Sequence, residues 1–293
     1  MAQLQAGSVV LIDGLAYGAM PVQAELEARR LRLVSLVHHP LALESGLAPD
    51  RQEMLFESER RALQAARAVI CTSATTAWTI RANYGIVPAA VFIARPGTDA
   101  LLPATTPVWG AGGAVHLLSI ATVTYRKGHD VLVEALARVA DLNWTCTIVG
   151  SLEREPVAAA QVRQLIAHHG LGGRISLVGE VAEVSDLYRR ADVFVLASRY
   201  EGYGMVFAEA LGYGLPVIAT TGGAIPEVVP PTSGILVPPD DVSALAEALH
   251  RMISNPAARH QFAAGARAAA EALPRWEEAA RDVAAALELV SNS

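Results

Sequence analysis

The sequence predicts an α/β protein made of two doubly wound, mostly parallel sheets, and three observations carry that expectation. Short apolar, β-branched runs alternate with longer helical patterns, which is how βα units with strands covered on both faces read in sequence. The series of strands stops near residue 95 and restarts at residue 115. The chain has 293 residues, 52% of them apolar and 18% charged, enough for about two cores at roughly 100–200 residues per domain.

In the first half the expected strands are VVLID (9–13), LVSLVH (33–38), AVICTS (68–73) and VFIAR (91–95), separated by helices over 22–31, 51–67 and 74–84. Four strands make a thin sheet. LLPATTPVWGAGG follows, with two prolines, three glycines and no charge; it reads as a connector, and the domain boundary is placed between residues 108 and 109. The second series is VHLLSI (115–120), WTCTIVG (144–150), RISLVG (174–179), VFVLAS (193–198), PVIAT (216–220) and GILV (234–237), a complete doubly wound domain over 109–273. After Pro274 a last helix carries Trp276, Ala280, Val283, Leu287 and Val290 at three- and four-residue steps, one apolar stripe that must pack on something.

Composition excludes several classes of partner. With 29 acidic against 23 basic residues and a net charge of -6, the chain lacks the clustered Lys and Arg that hold phosphate backbones or anionic membranes, so no nucleic acid is expected and any bound phosphate should belong to a small ligand. Cys71 and Cys146 sit inside apolar runs and read as inert core thiols of a reducing cytoplasm. No signal peptide and no transmembrane segment is expected.

The most informative segment runs from Ala191 to Val229. A strand ends in Ser198-Arg199, a loop carries Glu201-Gly202-Tyr203-Gly204, and a helix starts near Met205 with Glu209 in its early turns. The glycines let backbone approach a ligand, and the free N–H groups and positive dipole end of a helix start favour a phosphate. Carboxylates at Glu201 and Glu209 would be repelled by that phosphate unless they accept hydrogen bonds from hydroxyls of the same ligand; a sugar-bearing nucleoside diphosphate supplies both. A dinucleotide fingerprint fails, because Phe207 stands where its third glycine belongs. Walker, zinc-protease, nucleophile-elbow and spaced Asp-x-Asp motifs are missing, so no metal is assigned and the diphosphate needs protein cations. Arg126 and Lys127, after the strand VHLLSI, stand where doubly wound folds place ligands. Plainer roles fit other polar residues: His168-His169 as a helix end before Gly170, Asp240-Asp241 as a helix cap, and the Arg and Glu residues of 51–61 as a solvated face.

The E-x7-E spacing of Glu201 and Glu209, the loop SRYEGYGM, the stretch RKGHDVLVEAL and the segment TGGAIPE together resemble the retaining, GT-B fold nucleotide-sugar glycosyltransferases of family 4. That resemblance implies two Rossmann-like domains facing a cleft: an acceptor-side domain over 1–108, a donor domain over 109–273, and a helix over 274–293 that crosses back to the first, burying Trp276 there. It implies that Glu201 meets the transferred sugar and Glu209 the ribose hydroxyls, that Gly202, Tyr203, Gly204 and Met205 wrap the diphosphate and sugar, and that Lys127 meets the diphosphate. Where the family has Gly-Arg five positions before that lysine, this chain has Ala121-Thr122; Arg126 either supplies the missing charge from a new position or points to solvent. His38 and His39, closing the second strand before Pro40, resemble the family's histidine-bearing loop, with His38 the first choice for a donor-sugar contact and His39 the second.

The expected activity is transfer of a sugar from a nucleotide diphosphate to a small-molecule, glycan or lipid-linked acceptor, with retention, no metal and no cofactor beyond the nucleotide-sugar co-substrate. A non-catalytic nucleotide-sugar binding module or a GT-B type epimerase are the alternatives. Family members begin with a further strand and glycine-rich loop, whereas this chain opens on VVLIDG; the N-terminal domain is therefore expected to be incomplete, from a start site placed too late, and its exposed sheet to promote self-association.

Overall fold

The computed structural model describes residues 3–44, 46–99 and 113–292. The predicted connector, apart from Gly113, and the predicted boundary at 108/109 lie outside the described residues. The chain divides into unit 1, Met1–Asp99 with Pro274–Ser293, and unit 2, Ala100–Leu273.

Unit 1 holds a parallel sheet of β1 (Val9–Asp13), β2 (Arg32–Val37), β3 (Ala68–Cys71) and β4 (Val91–Ile93), in the order β1-β2-β3-β4. Its strands end where the side chains turn to other work. β2 stops at Val37, ahead of Pro40, which lacks an N–H, and the Ser73 side chain leaves the line of β3 to cap the helix Ala74–Asn83 by accepting from the Thr76 N–H at 3.0 Å. One face of the sheet packs Leu33, Val37, Val69 and Cys71 against helical residues such as Tyr17, Ala24, Leu63 and Ile80. The other face, Val34, Ala68, Ile70 and Ala94, is covered by Val283, Ala286, Leu287 and Val290 of the terminal helix Trp276–Ser291.

Two expectations are corrected in unit 1. Trp276, predicted to be buried in the apolar stripe, is 51% exposed, and Ala280 is exposed as well. The helix begins over Gly97, whose missing Cβ leaves room for the Trp276 backbone, and Thr98 bridges to Arg275; the first turn is thus held by its main chain, and the Trp276 side chain stays half exposed. Val290→Ala is accordingly expected to cost roughly 2 kcal/mol in denaturant unfolding and Trp276→Ala about 0.5 kcal/mol or less. The second correction concerns the helix Pro49–Gln64. Arg60 pairs with Glu57 and Arg61 with Glu25 on its wet side, but Glu59 is only 1% exposed. It shares the inward face with Phe56, Ala62 and Leu63, and one oxygen, Oε2, accepts from the Leu41 N–H at 2.9 Å and the Tyr84 hydroxyl at 3.0 Å.

Unit 2 holds β5 (Val115–Ile120), β6 (Trp144–Val149), β7 (Ile175–Gly179), β8 (Val193–Leu196), β9 (Val217–Thr220) and β10 (Gly234–Val237), all parallel, in the order β10-β9-β8-β5-β6-β7. The chain builds outward from β5 through β6 and β7, then returns to lay β8 on the other side of β5. Separate apolar clusters cover the two faces, one around Leu117, Leu132 and Leu249, the other around Leu118, Phe194 and Phe207. Both cysteines are buried and unpaired, and burial pushes each thiol up to about 12. Asp241 caps the helix Val242–Ser254 through the Ala244 N–H at 2.9 Å. The helix Pro156–His168 ends at His169 with left-handed Gly170 behind it, and His169 also reaches Glu134 at 3.1 Å. Among the described residues no helix is long and apolar enough to cross a membrane.

Candidate functional site

Strand order in unit 2 reverses between β5 and β8, so the loops leaving these neighbours diverge and open a crevice at their carboxyl ends. From β5 the chain enters a short turn, Tyr125–Lys127, and then Gly128, whose φ of 67° starts the helix His129–Ala137. A Cβ on Gly128 would overlap the Ala197 carbonyl, so glycine lets the loop after β5 sit directly on the loop after β8. The loop after β8 carries Ser198, Arg199 and Glu201.

Glu201 is the centre of the site. The residue is 6% exposed; its Oε1 accepts from Lys127 Nζ at 2.6 Å and Ser198 Oγ at 2.6 Å, and its Oε2 from the Arg126 guanidinium at 3.2 Å. Burial alone would raise this carboxyl, but the charges of Lys127 and Arg126, with hydrogen bonds from Lys127 and Ser198, hold it below the usual carboxylate range. Its main chain is fixed by the TGGAIPE segment: Glu201 bridges to Gly223, its carbonyl accepts from the Ala224 N–H at 2.9 Å, and a Cβ on Gly222 would strike the Arg199 carbonyl. Arg126 also donates to the Tyr200 carbonyl at 2.9 Å, so its guanidinium lies in the site. Thr122, partly buried on the loop after β5, brings no charge; its backbone lies against Gly150.

The remaining pieces follow from the helix after the loop. Gly204, at φ 97°, is the N-cap of Met205–Gly212, with no side-chain cap on the helix start, which leaves that end able to meet an anion. Gly202 and Tyr203 are buried, and the Tyr203 ring packs into the core with Met205 beside it, so Tyr203 offers a ligand its backbone. Glu209 accepts from the Tyr188 hydroxyl at 2.8 Å, and burial first, then the Glu209 charge, pushes that phenol up. His129 is buried, and burial with the nearby Lys127 charge pushes it down to about 4; it is neutral at pH 7, and the positive charge here belongs to Arg126 and Lys127.

Residues 114–255, from the start of β5 to just past the helix Val242–Ser254, match the family described as Glycosyl transferases group 1. The chain carries a glycosyl transferases group 1 domain. A D-inositol 3-phosphate glycosyltransferase of Xylanimonas cellulosilytica is 29% identical over 263 residues, 82% of this chain and 60% of that relative. Sucrose-phosphate synthase from Thermosynechococcus elongatus superposes with a TM-score of 0.82 at 25% identity, covering 97% of this chain and 74% of the other. Anabaena HepE, solved in complex with UDP and glucose, superposes with a TM-score of 0.81 at 23% identity, covering 95% and 77%. The two parallel sheets are those of the GT-B glycosyltransferase fold. The chain spans about three fifths of the length of the D-inositol 3-phosphate glycosyltransferase it matches.

The glycosyl transferases group 1 domain brings Arg126, Lys127, Glu201, Gly202 and Gly204 to one sheet edge, while His38 and His39 belong to unit 1. There His38 Nε2 lies 3.0 Å from Asp13 Oδ2 and His39 Nε2 lies 3.1 Å from Glu44 Oε2. Sequence reasoning missed Arg199, the brace of the domain's site. Its guanidinium makes two bonds to Asp130, at 3.0 and 2.8 Å, one to Asp240 at 2.7 Å and one to the Tyr125 carbonyl, with its Cζ 3.7 Å from the centre of the Tyr125 ring. Its own N–H donates to the Arg126 carbonyl at 2.7 Å. Arg199 thus ties the loop bearing Glu201 to the turn bearing both cations; the only signal was a bidentate donor in a loop whose acidic partners lie after other strands.

Proposed function

We propose that the chain transfers a sugar from a nucleotide-diphosphate sugar to an acceptor hydroxyl, with retention at the anomeric carbon and without a metal ion. The observation that carries this reading is the Glu201 cluster: a buried, ionised carboxylate, two cations and an uncapped helix start at the switch point of a glycosyl transferases group 1 domain. The diphosphate binds over the helix start, with Lys127 and Arg126 as its counter-charges. As the bond to the anomeric carbon breaks, negative charge grows on the departing phosphate and positive charge on the sugar. Groups already aimed at the phosphate are the largest source of acceleration, about 3 kcal/mol for one well-placed donor. Glu201, which only accepts, takes hydrogen bonds from sugar hydroxyls and sits beside the cationic sugar without attacking it; Glu209 takes those of the ribose. Gly202, Tyr203, Gly204 and Met205 supply backbone around the diphosphate. No separate general base is assigned, because the departing phosphate oxygen takes the acceptor proton as that hydroxyl enters from the same face.

Two similar proteins support a nucleotide donor: HepE is solved with UDP and glucose, and a Corynebacterium glutamicum relative is described as GDP-mannose-dependent. Thermal unfolding with UDP, GDP and their sugars tests the reading first, since a ligand at 100 times its dissociation constant stabilises by about 2.7 kcal/mol. Transfer is then assayed over small-molecule, glycan and lipid-linked acceptors. Activity is expected to survive a strong chelator; loss on chelation, restored by a divalent ion, overturns the assignment of leaving-group stabilisation to Lys127 and Arg126. Stabilisation by a nucleotide sugar without turnover on any acceptor identifies a binding module.

A further inference from the structure

We infer that the Tyr188 hydroxyl holds the Glu209 carboxylate in place for the ribose of the nucleotide, and that the pair sets a preference for ribonucleotides over deoxyribonucleotides; this rests on the nucleotide-sugar assignment above. Both residues belong to unit 2. Glu209 lies on the helix Met205–Gly212, one turn past its uncapped start, about 6 Å along the axis at roughly 1.5 Å per residue. Helical side chains lean back toward the N-terminus, so this carboxylate leans toward the end assigned to the diphosphate, from which the ribose hangs.

Tyr188 comes from a different element, the helix Ser185–Arg190 that leads into β8. Its side chain is buried, and its ring is clamped on two sides. It stacks on Tyr213, the residue that ends the helix of Glu209, with centroids 4.8 Å apart and planes 8° from parallel, and it lies 5.9 Å from the Phe194 ring of β8. That packing brings the hydroxyl to 2.8 Å from Glu209 Oε2, with the Val206 carbonyl farther off at 3.4 Å. A phenol has one proton to give, and the nearer carboxylate oxygen takes it.

A carboxylate has about four acceptor positions, so the bond from Tyr188 leaves Glu209 able to accept from hydroxyls and fixes the plane in which it does so. Glu209 is half-buried, within reach of a ligand, whereas Tyr188 lies behind it in the core. Tyr188 touches no nucleotide; it is a positioning residue acting through Glu209. A 2′,3′-dideoxyribose offers no hydroxyl to that carboxylate, so a nucleotide carrying it gains nothing from Tyr188.

The test is Tyr188→Phe in the full chain, read by calorimetric titration with UDP and GDP and with their 2′,3′-dideoxy counterparts. Phenylalanine keeps the ring stack and removes the hydroxyl alone, and water reaches the half-buried carboxylate in its place. The dissociation constant of the ribonucleotide that binds is expected to rise about 5-fold or more, as for the loss of one well-made hydrogen bond, while that of its dideoxy counterpart stays unchanged. On a Glu209→Ala background Tyr188→Phe is expected to add no further loss. Equal losses with both sugars show that the hydroxyl serves only the fold and overturn the proposal, as does an unchanged affinity for the ribonucleotide or an additive loss on the Glu209→Ala background. Glu209→Ala by itself, with Tyr188 in place, is expected to abolish the preference for the ribonucleotide; a preference that survives overturns the ribose contact on which the pair depends. A chain that binds neither UDP nor GDP overturns the nucleotide-sugar assignment, and the role of Tyr188 with it.

Discussion

Glu201→Ala is expected to lower kcat for sugar transfer by about 100-fold or more, while UDP binds at least as tightly as before. The carboxylate is held by Lys127 at 2.6 Å, Ser198 at 2.6 Å and Arg126 at 3.2 Å, so it occupies the two cations that the proposed function assigns to the diphosphate. Removing it frees both cations for that diphosphate and at the same time deletes the acceptor for the reacting sugar's hydroxyls, an interaction needed most in the transition state. Glu209→Ala should behave differently, raising donor KM with a smaller change in kcat, because it loses ribose contacts that are the same before and during reaction. Steady-state kinetics with titration of UDP separates the two; equal, small effects from both substitutions remove the site assignment. Breaking a largely buried ion pair can cost about 3–5 kcal/mol of stability, so the melting temperature of Glu201→Ala must be read alongside its rates.

The second large effect is a dependence of stability on pH that Glu59→Gln removes. Burial pushes the Glu59 carboxyl up to about 7, against the opposing pull of the Leu41 N–H, the Tyr84 hydroxyl and the His39 charge. The folded chain therefore keeps a proton that the unfolded chain releases near pH 4.5, so this group's contribution is fully present below that pH, declines as pH rises and is gone above about 7. The loss over that window is about 3 kcal/mol. Glu201 moves in the opposite sense, but its carboxyl titrates below the usual range, outside the window. His129, pushed down to about 4, adds stability as pH rises through the same window, so the Glu59 component is read as the difference between the two chains. In denaturant unfolding at pH 5 and pH 8, the change from the lower to the higher pH should be less favourable in the unsubstituted chain than in Glu59→Gln. Glu59→Gln, which keeps the shape and an acceptor for Leu41 and Tyr84, should lack that component; the same pH difference in both chains would show that Glu59 is not protonated in the fold.

The strands were legible because a buried strand of a doubly covered sheet is a local signal, a short apolar run bounded by turn residues, and β1, β5 and β10 have the limits read from sequence. Glu201, Gly204, Met205 and Glu209 were legible for the same reason: one loop and one helix carry them within nine residues. What partners these residues was settled only by the fold. Whether Arg126 faced Glu201 or water depended on β5 and β8, some 75 residues apart in sequence, becoming neighbours at the switch point. The same holds for Arg199 with Asp130 and Asp240, and for Asp13 with His38 across the register of β1 and β2. Helical periodicity placed Trp276 on the packing stripe but could not say that the packing on the sheet falls to Val283, Ala286, Leu287 and Val290, and a charge pattern placed Glu59 in water although its position turns it inward between Phe56 and Leu63. Sequence by itself determined which segments must be buried and which loop carries the candidate site, because both follow from neighbouring residues; the tertiary structure decided which charge meets which, because those pairs are made by strand order and register.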